Sequence, residues 1–304
     1  MINNSKTITN TVSKQVFIKN YKNELYFYSL KIEKKQTNYT KNLQNLKNIK
    51  TGQVIIINYN YDSKQKAYVK TIEQKVNALV SLSKTEELVP LFLTLTLPSK
   101  FHPYKTSKKG IKNKNHAYKY ENIEDSITEG YQELRDIYRS FYKRVKNYSK
   151  NIYYIKVVEP HKSLTPHMHV ILFIEPKQLE ITKQLFYKVC KEHKLKRVEF
   201  DESLLTDDIN NAVGYIMKYI LKTLNSKDEY FKRWLDGWRK KHRIRGCEMS
   251  NLPLSIEVYK KLYYSLPKEL KESIQKEIEE KNQSFFEYFI RNTTVTQTIY
   301  EEKI

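Results

Sequence analysis

One stretch of the chain constrains the fold more than any other. Two strand-like segments, 152–159 (IYYIKVVE) and 167–174 (HMHVILFI), are separated by the short turn-like sequence PHKSLTP. Both segments are rich in β-branched and aromatic residues, and prolines flank the connection, as is typical of paired strands. A turn this short would bring the end of the first strand beside the start of the second.

The second of these segments begins with two closely spaced histidines. Side chains alternate along a strand, so His167 and His169 point to one side and Met168 points to the other. Two imidazoles on adjacent same-face positions can share a divalent cation, and the turn would bring Glu159 beside them. One carboxylate and two neutral imidazoles suit Mn²⁺ or Mg²⁺ acting on a phosphate, and would also accept Zn²⁺ or Ni²⁺. The alternative is two ordinary polar residues at a strand start.

A second group of residues lies on a predicted helix from about 207 to 224. In VGYIMKYILKT (213–223), Tyr215 and Tyr219 are four residues apart, as are Lys218 and Lys222, so each pair lies along one helical face. A tyrosine hydroxyl is a weak nucleophile at neutral pH because its pKa is about 10. A nearby ammonium favours the phenolate and can hold a phosphate oxygen. The alternative is an amphipathic helix whose tyrosines pack on the sheet.

The charge balance favours a polyanionic partner. Lys and Arg number 55 against 34 Asp and Glu, which gives a formal net charge of +21. Cations that neutralise phosphates release condensed counterions, so such an excess favours nucleic-acid binding. The alternative is an AT-rich coding genome that inflates lysine content without a functional reason. The 25 tyrosines could include rings that stack on bases, although most tyrosines pack in cores.

Hydrophobic periodicity predicts further elements along the chain. Leu91, Leu93, Leu95 and Leu97 lie on one face of a strand within 89–99, with Phe92, Thr94 and Thr96 on the other. The remaining predictions are strands at 23–32, 52–62 and 196–200, and helices near 67–84, 123–148, 177–193 and 255–281.

The chain divides into three predicted regions: 1–85, of unknown role and with possible extra strands; 86–250, which carries the motifs; and 251–304, mainly helical.

Two lysine- and arginine-rich segments are candidates for DNA contact. Residues 100–120 carry seven lysines and no acid, which indicates either a solvated loop or a mobile arm for phosphates. Residues 231–245 carry seven Lys or Arg and one acid, with Trp234 and Trp238 one helical turn apart. These tryptophans could stack on bases or anchor the C-terminal helices to the core.

Taken in order along the chain, three motifs resemble those of the rolling-circle replication initiators of the HUH endonuclease superfamily. FLTLT (92–96) resembles the first motif, PHMHVIL (166–172) the metal-binding second and GYIMKYILK (214–222) the catalytic third. The stretch VVEPHKSLTPHMH is especially similar to replication proteins of single-stranded-DNA bacteriophages and related plasmids. The turn carries Ser163 and Leu164 where such proteins often have a glycine.

The resemblance implies a fold and a set of roles. The fold would be α+β, with a central antiparallel sheet, flanking helices and a helical C-terminal extension. His167 and His169 would bind Mg²⁺ or Mn²⁺, with Glu159 as third ligand and His161 as the alternative. Tyr215 and Tyr219 would attack the scissile phosphate of single-stranded or hairpin origin DNA, leaving a 5′-phosphotyrosine and a 3′-hydroxyl. Lys218 and Lys222 would stabilise the phosphate or the phenolate.

Other features narrow the function class. No phosphate-binding loop of the Gly-x₄-Gly-Lys-Ser/Thr type is found, so a host helicase is implied as a partner. Two cysteines, no apparent signal peptide and no apolar run of about 20 residues predict a cytoplasmic location without membrane attachment. The order of histidines before tyrosines argues against a relaxase. A transposase of the same superfamily and a non-catalytic DNA-binding repressor are the alternatives.

Overall fold

The computed structural model describes residues 4–42, 47–54, 59–106, 112–149, 151–196, 198–201, 214, 217–218, 220, 226–281 and 284–292. The helices and strands, numbered in chain order, are α1 (Asn4–Asn42), α2 (Tyr61–Thr85), β1 (Val89–Thr96), β2 (Tyr104–Thr106), β3 (Lys112–Lys114), α3 (Ile123–Lys146), β4 (Tyr153–Pro160), β5 (Pro166–Ile174), α4 (Leu179–Glu192), β6 (Val198–Asp201), α5 (Glu229–Lys241), β7 (Cys247–Met249), α6 (Ile256–Ser265), α7 (Lys268–Glu280) and α8 (Phe285–Arg291). Within the described part of the chain, no helix combines the length and apolar character needed to cross a membrane.

The centre of the fold is a five-stranded sheet in the order β6-β1-β5-β4-β7, with each neighbouring pair antiparallel. The predicted hairpin of β4 and β5 forms with β5 as the middle strand. Helices pack on both sides of this sheet, so the predicted α+β class with a central antiparallel sheet is confirmed.

The two faces of the sheet bury different sets of side chains. One face carries the leucines of β1 and Met168, Val170 and Leu172 of β5, and the amphipathic helix α3 covers it. The other face carries Phe92, Ile171 and Phe173, and α2 packs there through residues spaced as the sequence predicted. We call this second side the histidine face, because His167 and His169 also lie on it.

The segment 23–32, predicted as a strand, lies inside helix α1, so that prediction is wrong. Ile18, Tyr21 and Leu25 form a buried stripe at helical spacing and join the core that includes Trp234 and Trp238 of α5. Burial of this stripe outweighs the strand preference of the tyrosines and phenylalanine around it.

The predicted strand at 52–62 is also wrong over its described part. Val54 makes only an isolated bridge with Lys47, and Tyr61 already begins α2; residues 55–58 lie outside the described residues. Asn60 caps this helix by accepting a hydrogen bond from the backbone N–H of Ser63 at 2.8 Å, which explains where the chain turns helical.

The remaining predicted elements are confirmed in the described residues. Helices α2, α3 and α4, and strands β1, β4, β5 and β6, lie where periodicity placed them. The helix predicted near 255–281 is two helices, α6 and α7, because the chain breaks before Pro267. The helix at 285–291 agrees with the predicted helical character of 251–304, although its own bounds were not predicted. Of the predicted helix 207–224, the described residues 214, 217, 218 and 220 are helical. The proposed boundaries at 85 and 250 stay predictions, although α2 packs on the sheet and α1 joins the same core as the sheet through its contacts with α5.

Candidate active site

The two histidines of β5 lie side by side on the histidine face. Their ring centroids are 4.6 Å apart at an interplanar angle of 80°. His169 is 7% exposed and stacks on Phe92, at 5.6 Å between centroids. The sequence predicted this same-side placement from the alternation along the strand.

A threonine of β1 faces each histidine. Thr94 is paired with His169 and Thr96 with His167 in the β1–β5 ladder. The Oγ1 atom of Thr96 lies 3.0 Å from Nδ1 of His167, and that of Thr94 lies 3.4 Å from Nδ1 of His169. Metal-binding histidines commonly use their second ring nitrogen in this way, because the contact fixes the ring and its tautomer.

For His169 the neighbouring groups indicate which nitrogen carries the proton. The hydroxyl of Thr94 donates its single proton to Oε2 of Glu199 at 3.2 Å. It can therefore only accept from Nδ1 of His169, which places the imidazole proton on Nδ1. The lone pair is then on Nε2, the form that a metal ligand requires.

Burial keeps both imidazoles neutral. It lowers the pKa of His167 to about 4, with a further contribution from His161 and His102, and that of His169 to about 3, with a contribution from His167. A charged imidazole is disfavoured in this dry position. Both rings are thus in the protonation state that binds a cation at neutral pH.

Glu159 stands directly opposite His167 in the β4–β5 ladder, so the backbone brings the two predicted ligands together. The alternative ligand His161 is exposed and lies in the turn, with Nδ1 3.3 Å from Oγ of Ser163. Among the residues that the structure describes, however, no three His, Cys, Asp or Glu side chains converge closely enough to hold a metal ion. The donor types and the backbone register suit a cation, while the side chains are not gathered around one point.

Side-chain burial and hydrogen bonds fix the turn between β4 and β5. Leu164 takes a left-handed conformation with φ of 65°, which glycine adopts most readily, and its side chain is fully buried. Its carbonyl accepts a hydrogen bond from Nε1 of Trp238 at 3.1 Å. Thr165 donates to the carbonyl of Phe101 at 3.0 Å, which links the turn to the segment after β1.

The two tryptophans of α5 are core residues. Trp234 is 5% exposed and Trp238 is fully buried, so neither ring can stack on a nucleic-acid base. They anchor α5 to α1 and to the hairpin turn rather than to the C-terminal helices. The two roles predicted for these tryptophans, base stacking and anchoring of the C-terminal helices, are therefore both wrong.

The segment VGYIMKYILKT (213–223), which we call the tyrosine–lysine motif, is described only in part. Its described residues lie on the histidine face. Ile220 is buried and Met217 partly buried against the cluster that contains Phe92 and Ile171. Lys218 is exposed. Tyr215, Tyr219 and Lys222 lie outside the described residues.

The lysine-rich segment 100–120 forms a small hairpin of β2 and β3 rather than an irregular loop, with residues 107–111 outside the described part. Asn115 fixes the base of this hairpin, because its Nδ2 donates hydrogen bonds to the carbonyls of Ser99 and His102 at 2.5 and 2.6 Å. The ring of His102 meets that of His161 edge to face at 5.4 Å. The hairpin therefore rises from the end of the sheet that carries the histidines.

Several residues of the site were missed from the sequence. Thr94 and Thr96 were placed on the correct face but given no role, and Glu199 and Arg239 were not considered. The alternation in FLTLT was a usable signal for the threonines, since a residue opposite each histidine must come from a neighbouring strand. Nothing in the sequence pairs 199 with 94 or brings 239 to this end of the sheet.

An antiparallel sheet with two same-face histidines, covered by a helix, defines an α+β protein with a candidate metal site. A family model described as bacteriophage replication gene A protein matches residues 7–227. The chain belongs to the bacteriophage replication gene A protein family.

Curated relatives agree with this assignment. The chain is 30% identical over 142 residues to the replication gene A protein of Escherichia phage 186, covering 44% of this chain and 19% of the relative. It is 32% identical over 145 residues to that of Escherichia phage P2, covering 45% and 18%. It is 28% identical over 145 residues to the replication protein of Haemophilus phage HP1, covering 44% and 16%. The matches thus span about a fifth of these relatives' length. No solved structure matches the chain significantly.

Proposed function

We propose that this protein initiates rolling-circle replication by metal-dependent, site-specific nicking and joining of single-stranded DNA, as an enzyme of the HUH superfamily. One observation carries the proposal. The neutral, adjacent imidazoles of His167 and His169 share a sheet face with the helical residues Met217 and Ile220, which belong to the tyrosine–lysine motif. Membership of a phage replication protein family supports the same reading.

His167, His169 and Glu159 would hold Mg²⁺ or Mn²⁺, which would act as a Lewis acid on an oxygen of the scissile phosphate. The residues of this chain have distinct tasks in that arrangement. Thr94 and Thr96 hold the imidazole tautomers, and Glu199 orients Thr94. Glu159 would complete the ligand set, because its backbone already stands opposite His167 in the β4–β5 ladder.

The nucleophile in this proposal is the phenolate oxygen of Tyr215 or Tyr219. It bonds to phosphorus, the phosphorus–O3′ bond breaks, and the 3′ oxygen leaves to become a hydroxyl once protonated. Lys218 and Lys222 favour the phenolate and hold a phosphate oxygen. Two nucleophiles allow a second cleavage while the first strand is still attached, and a freed 3′-hydroxyl then closes the circle without ATP. If only one acts, Tyr219 is favoured, since both lysines lie within one turn of it.

The DNA partner is single-stranded or hairpin origin DNA. The exposed Lys105 lies on the β2–β3 hairpin, which Asn115 ties to the backbone of His102, and it suits phosphate contacts. A host helicase would separate the strands, and the reaction would take place in the cytoplasm. A transposase would share the cleavage chemistry, whereas a repressor would bind without cleaving.

The test is a gel assay for covalent DNA–protein adducts, using purified protein, Mn²⁺ and labelled single-stranded DNA from its own replicon. Wild type is compared with Tyr215→Phe, Tyr219→Phe and the double variant, each with and without EDTA. We expect a metal-dependent adduct that is abolished in the double variant. Tight binding without any adduct, across metals and candidate origins, would instead identify a DNA-binding protein without nicking activity.

A further inference from the structure

Arg239 is a partly buried arginine at the edge of the histidine face. It lies on α5, one residue after the buried Trp238, and its Nε atom is shielded from solvent. The guanidinium rests against Gly246: a Cβ at that position would lie 2.6 Å from both Cζ and Nε of Arg239. A larger residue at 246 would force the arginine side chain to move from this position. Gly246, immediately before β7, therefore leaves space for the guanidinium of Arg239.

This space adjoins the end of β4. The carbonyl of Gly246 accepts a hydrogen bond from the backbone N–H of Val158 at 3.0 Å, and the next residue along β4 is Glu159. Burial lowers the pKa of the Arg239 guanidinium, and Tyr68, Glu159 and Asp236 oppose that effect. Arginine keeps its proton even when buried, so a carboxylate in range must offset the charge.

Asp236, which also acts on the pKa of Arg239, lies on the same helix and accepts hydrogen bonds through its Oδ2 from Oγ of Ser29 and, at 2.7 Å, from Nζ of Lys240. Glu159 follows Val158, whose N–H is bonded to the Gly246 carbonyl, so the backbone places its carboxylate beside the space that holds the guanidinium. A planar guanidinium can hold a carboxylate through two parallel hydrogen bonds and so limit its rotation.

We propose that Arg239, seated on Gly246, is a positioning residue that holds the Glu159 carboxylate in place beside His167. The inference rests on the proposed function, because it gives Glu159 the part of a metal ligand. Arg239 acts through Glu159, and Gly246 provides the room. Removal of Arg239 would loosen the position of the Glu159 carboxylate and would weaken cation binding.

The first test needs neither DNA nor metal. Unfolding is measured for wild type, Arg239→Met, Glu159→Gln and the double variant. For a pair in contact we expect non-additive effects, with the coupling amounting to roughly fivefold or more in the unfolding equilibrium constant. Arg233→Met is the matched control: this arginine is on the same helix but pairs with Glu33 and Glu229. Its effect should add to that of Glu159→Gln.

The second test titrates Mn²⁺ into the same proteins and follows the free ion by electron paramagnetic resonance. We expect Arg239→Met to weaken Mn²⁺ binding about tenfold, and to have no further effect in the Glu159→Gln background. Gly246→Ala should reproduce the loss, since its Cβ displaces the guanidinium, and Arg239→Lys should fall in between. Arg233→Met should bind Mn²⁺ like wild type.

The outcomes separate this inference from the proposed function. Additive unfolding effects, or unchanged Mn²⁺ affinity in Arg239→Met when wild type binds the ion, would overturn the positioning role alone. Failure of wild type to bind Mn²⁺ would overturn both the metal-dependent function and the positioning role. Coupled unfolding together with coupled loss of Mn²⁺ affinity would support both.

Discussion

The Oγ1 atom of Thr96 lies 3.0 Å from Nδ1 of His167, across the ladder that joins β1 to β5. This contact orients the ring from the side opposite Glu159. A hydroxyl that holds a ligand imidazole in this way affects metal affinity without touching the metal.

Replacement of Thr96 by Val should weaken Mn²⁺ binding by about tenfold or more, because loss of a ligand's outer hydrogen bond commonly costs that much. Thr94→Val should also weaken binding, as it breaks the link from Glu199 to His169. Isothermal titration measures both. Thr182→Val is a matched control, since Thr182 is fully buried and its Oγ1 has no hydrogen-bond partner among the described residues. Equal affinity in Thr96→Val and Thr182→Val would contradict the assigned role.

The stability of the protein should fall as the pH is lowered from 6.5 to 4. Burial lowers the pKa of His242 to about 4, and its ring nitrogens contact Tyr21 at 2.8 Å and Thr128 at 2.9 Å. The unfolded chain, with a pKa near 6.5, binds a proton that the folded chain excludes, so stability is complete above pH 6.5 and is lost below it.

This group alone should contribute about 2 to 3 kcal/mol between pH 7.5 and 4.5. Urea denaturation at the two pH values measures the loss, and His242→Gln is the comparison, because glutamine does not titrate. The wild type should lose more stability than the variant. Parallel pH dependence of the two proteins would show that His242 is not excluded from protonation by the fold.

Replacement of Leu164 by Gly should destabilise the protein although glycine suits the backbone there. Relief of the left-handed conformation is worth about 1 to 2 kcal/mol, whereas a fully buried leucine side chain is worth more, about 2 to 5 kcal/mol. We expect a net loss of about 2 kcal/mol in denaturant unfolding.

Lys194→Gly provides the contrast to Leu164→Gly. Lys194 has φ of 57° and is exposed just beyond the end of α4, so glycine there should be neutral or stabilising. If both variants were stabilised, backbone strain rather than burial would dominate the turn before the histidines.

Helix α1 approaches α5 so closely that only glycine fits at 237. A Cβ on Gly237 would lie 1.9 Å from the carbonyl oxygen of Leu25, a backbone atom that cannot move alone. Gly237→Ala should cost at least about 2 kcal/mol despite the better helix propensity of alanine. At Gly130 the same change meets the tip of the Leu97 side chain at 2.7 Å, so its cost should be smaller. Comparable thermal unfolding of the two variants would contradict the helix contact.

Local patterns predicted the parts of the fold that depend on one element and its sheet neighbour. The alternation of side chains along a strand predicted β1, β4 and β5 and the shared face of His167 and His169. The short turn between β4 and β5 predicted that Glu159 lies beside His167, and the two residues are opposite each other in the ladder. The prediction of a strand at 23–32 was wrong because it gave more weight to the strand-favouring aromatic residues than to the helical spacing of Ile18, Tyr21 and Leu25. The buried face of a helix is decided by its partner, and that partner, α5, is some 200 residues away.

The rest of the site depends on contacts between distant segments. Glu199 reaches Thr94 because β6 pairs with β1, a strand order that no local pattern indicates. Arg239 reaches the end of β4 because α5 is fixed by Trp238 on the turn and by Gly237 on α1. Such placements follow from packing of the whole chain and become visible only in three dimensions.

The most direct test of the central claim is mass spectrometry of the protein after reaction with origin DNA and Mn²⁺, followed by nuclease and protease digestion. We predict a nucleotide phosphate attached to the peptide that carries Tyr215 and Tyr219, present with Mn²⁺, absent with EDTA and absent in His167→Ala. Attachment to a residue outside 214–222, or an adduct that forms equally well without metal and in His167→Ala, would contradict the account.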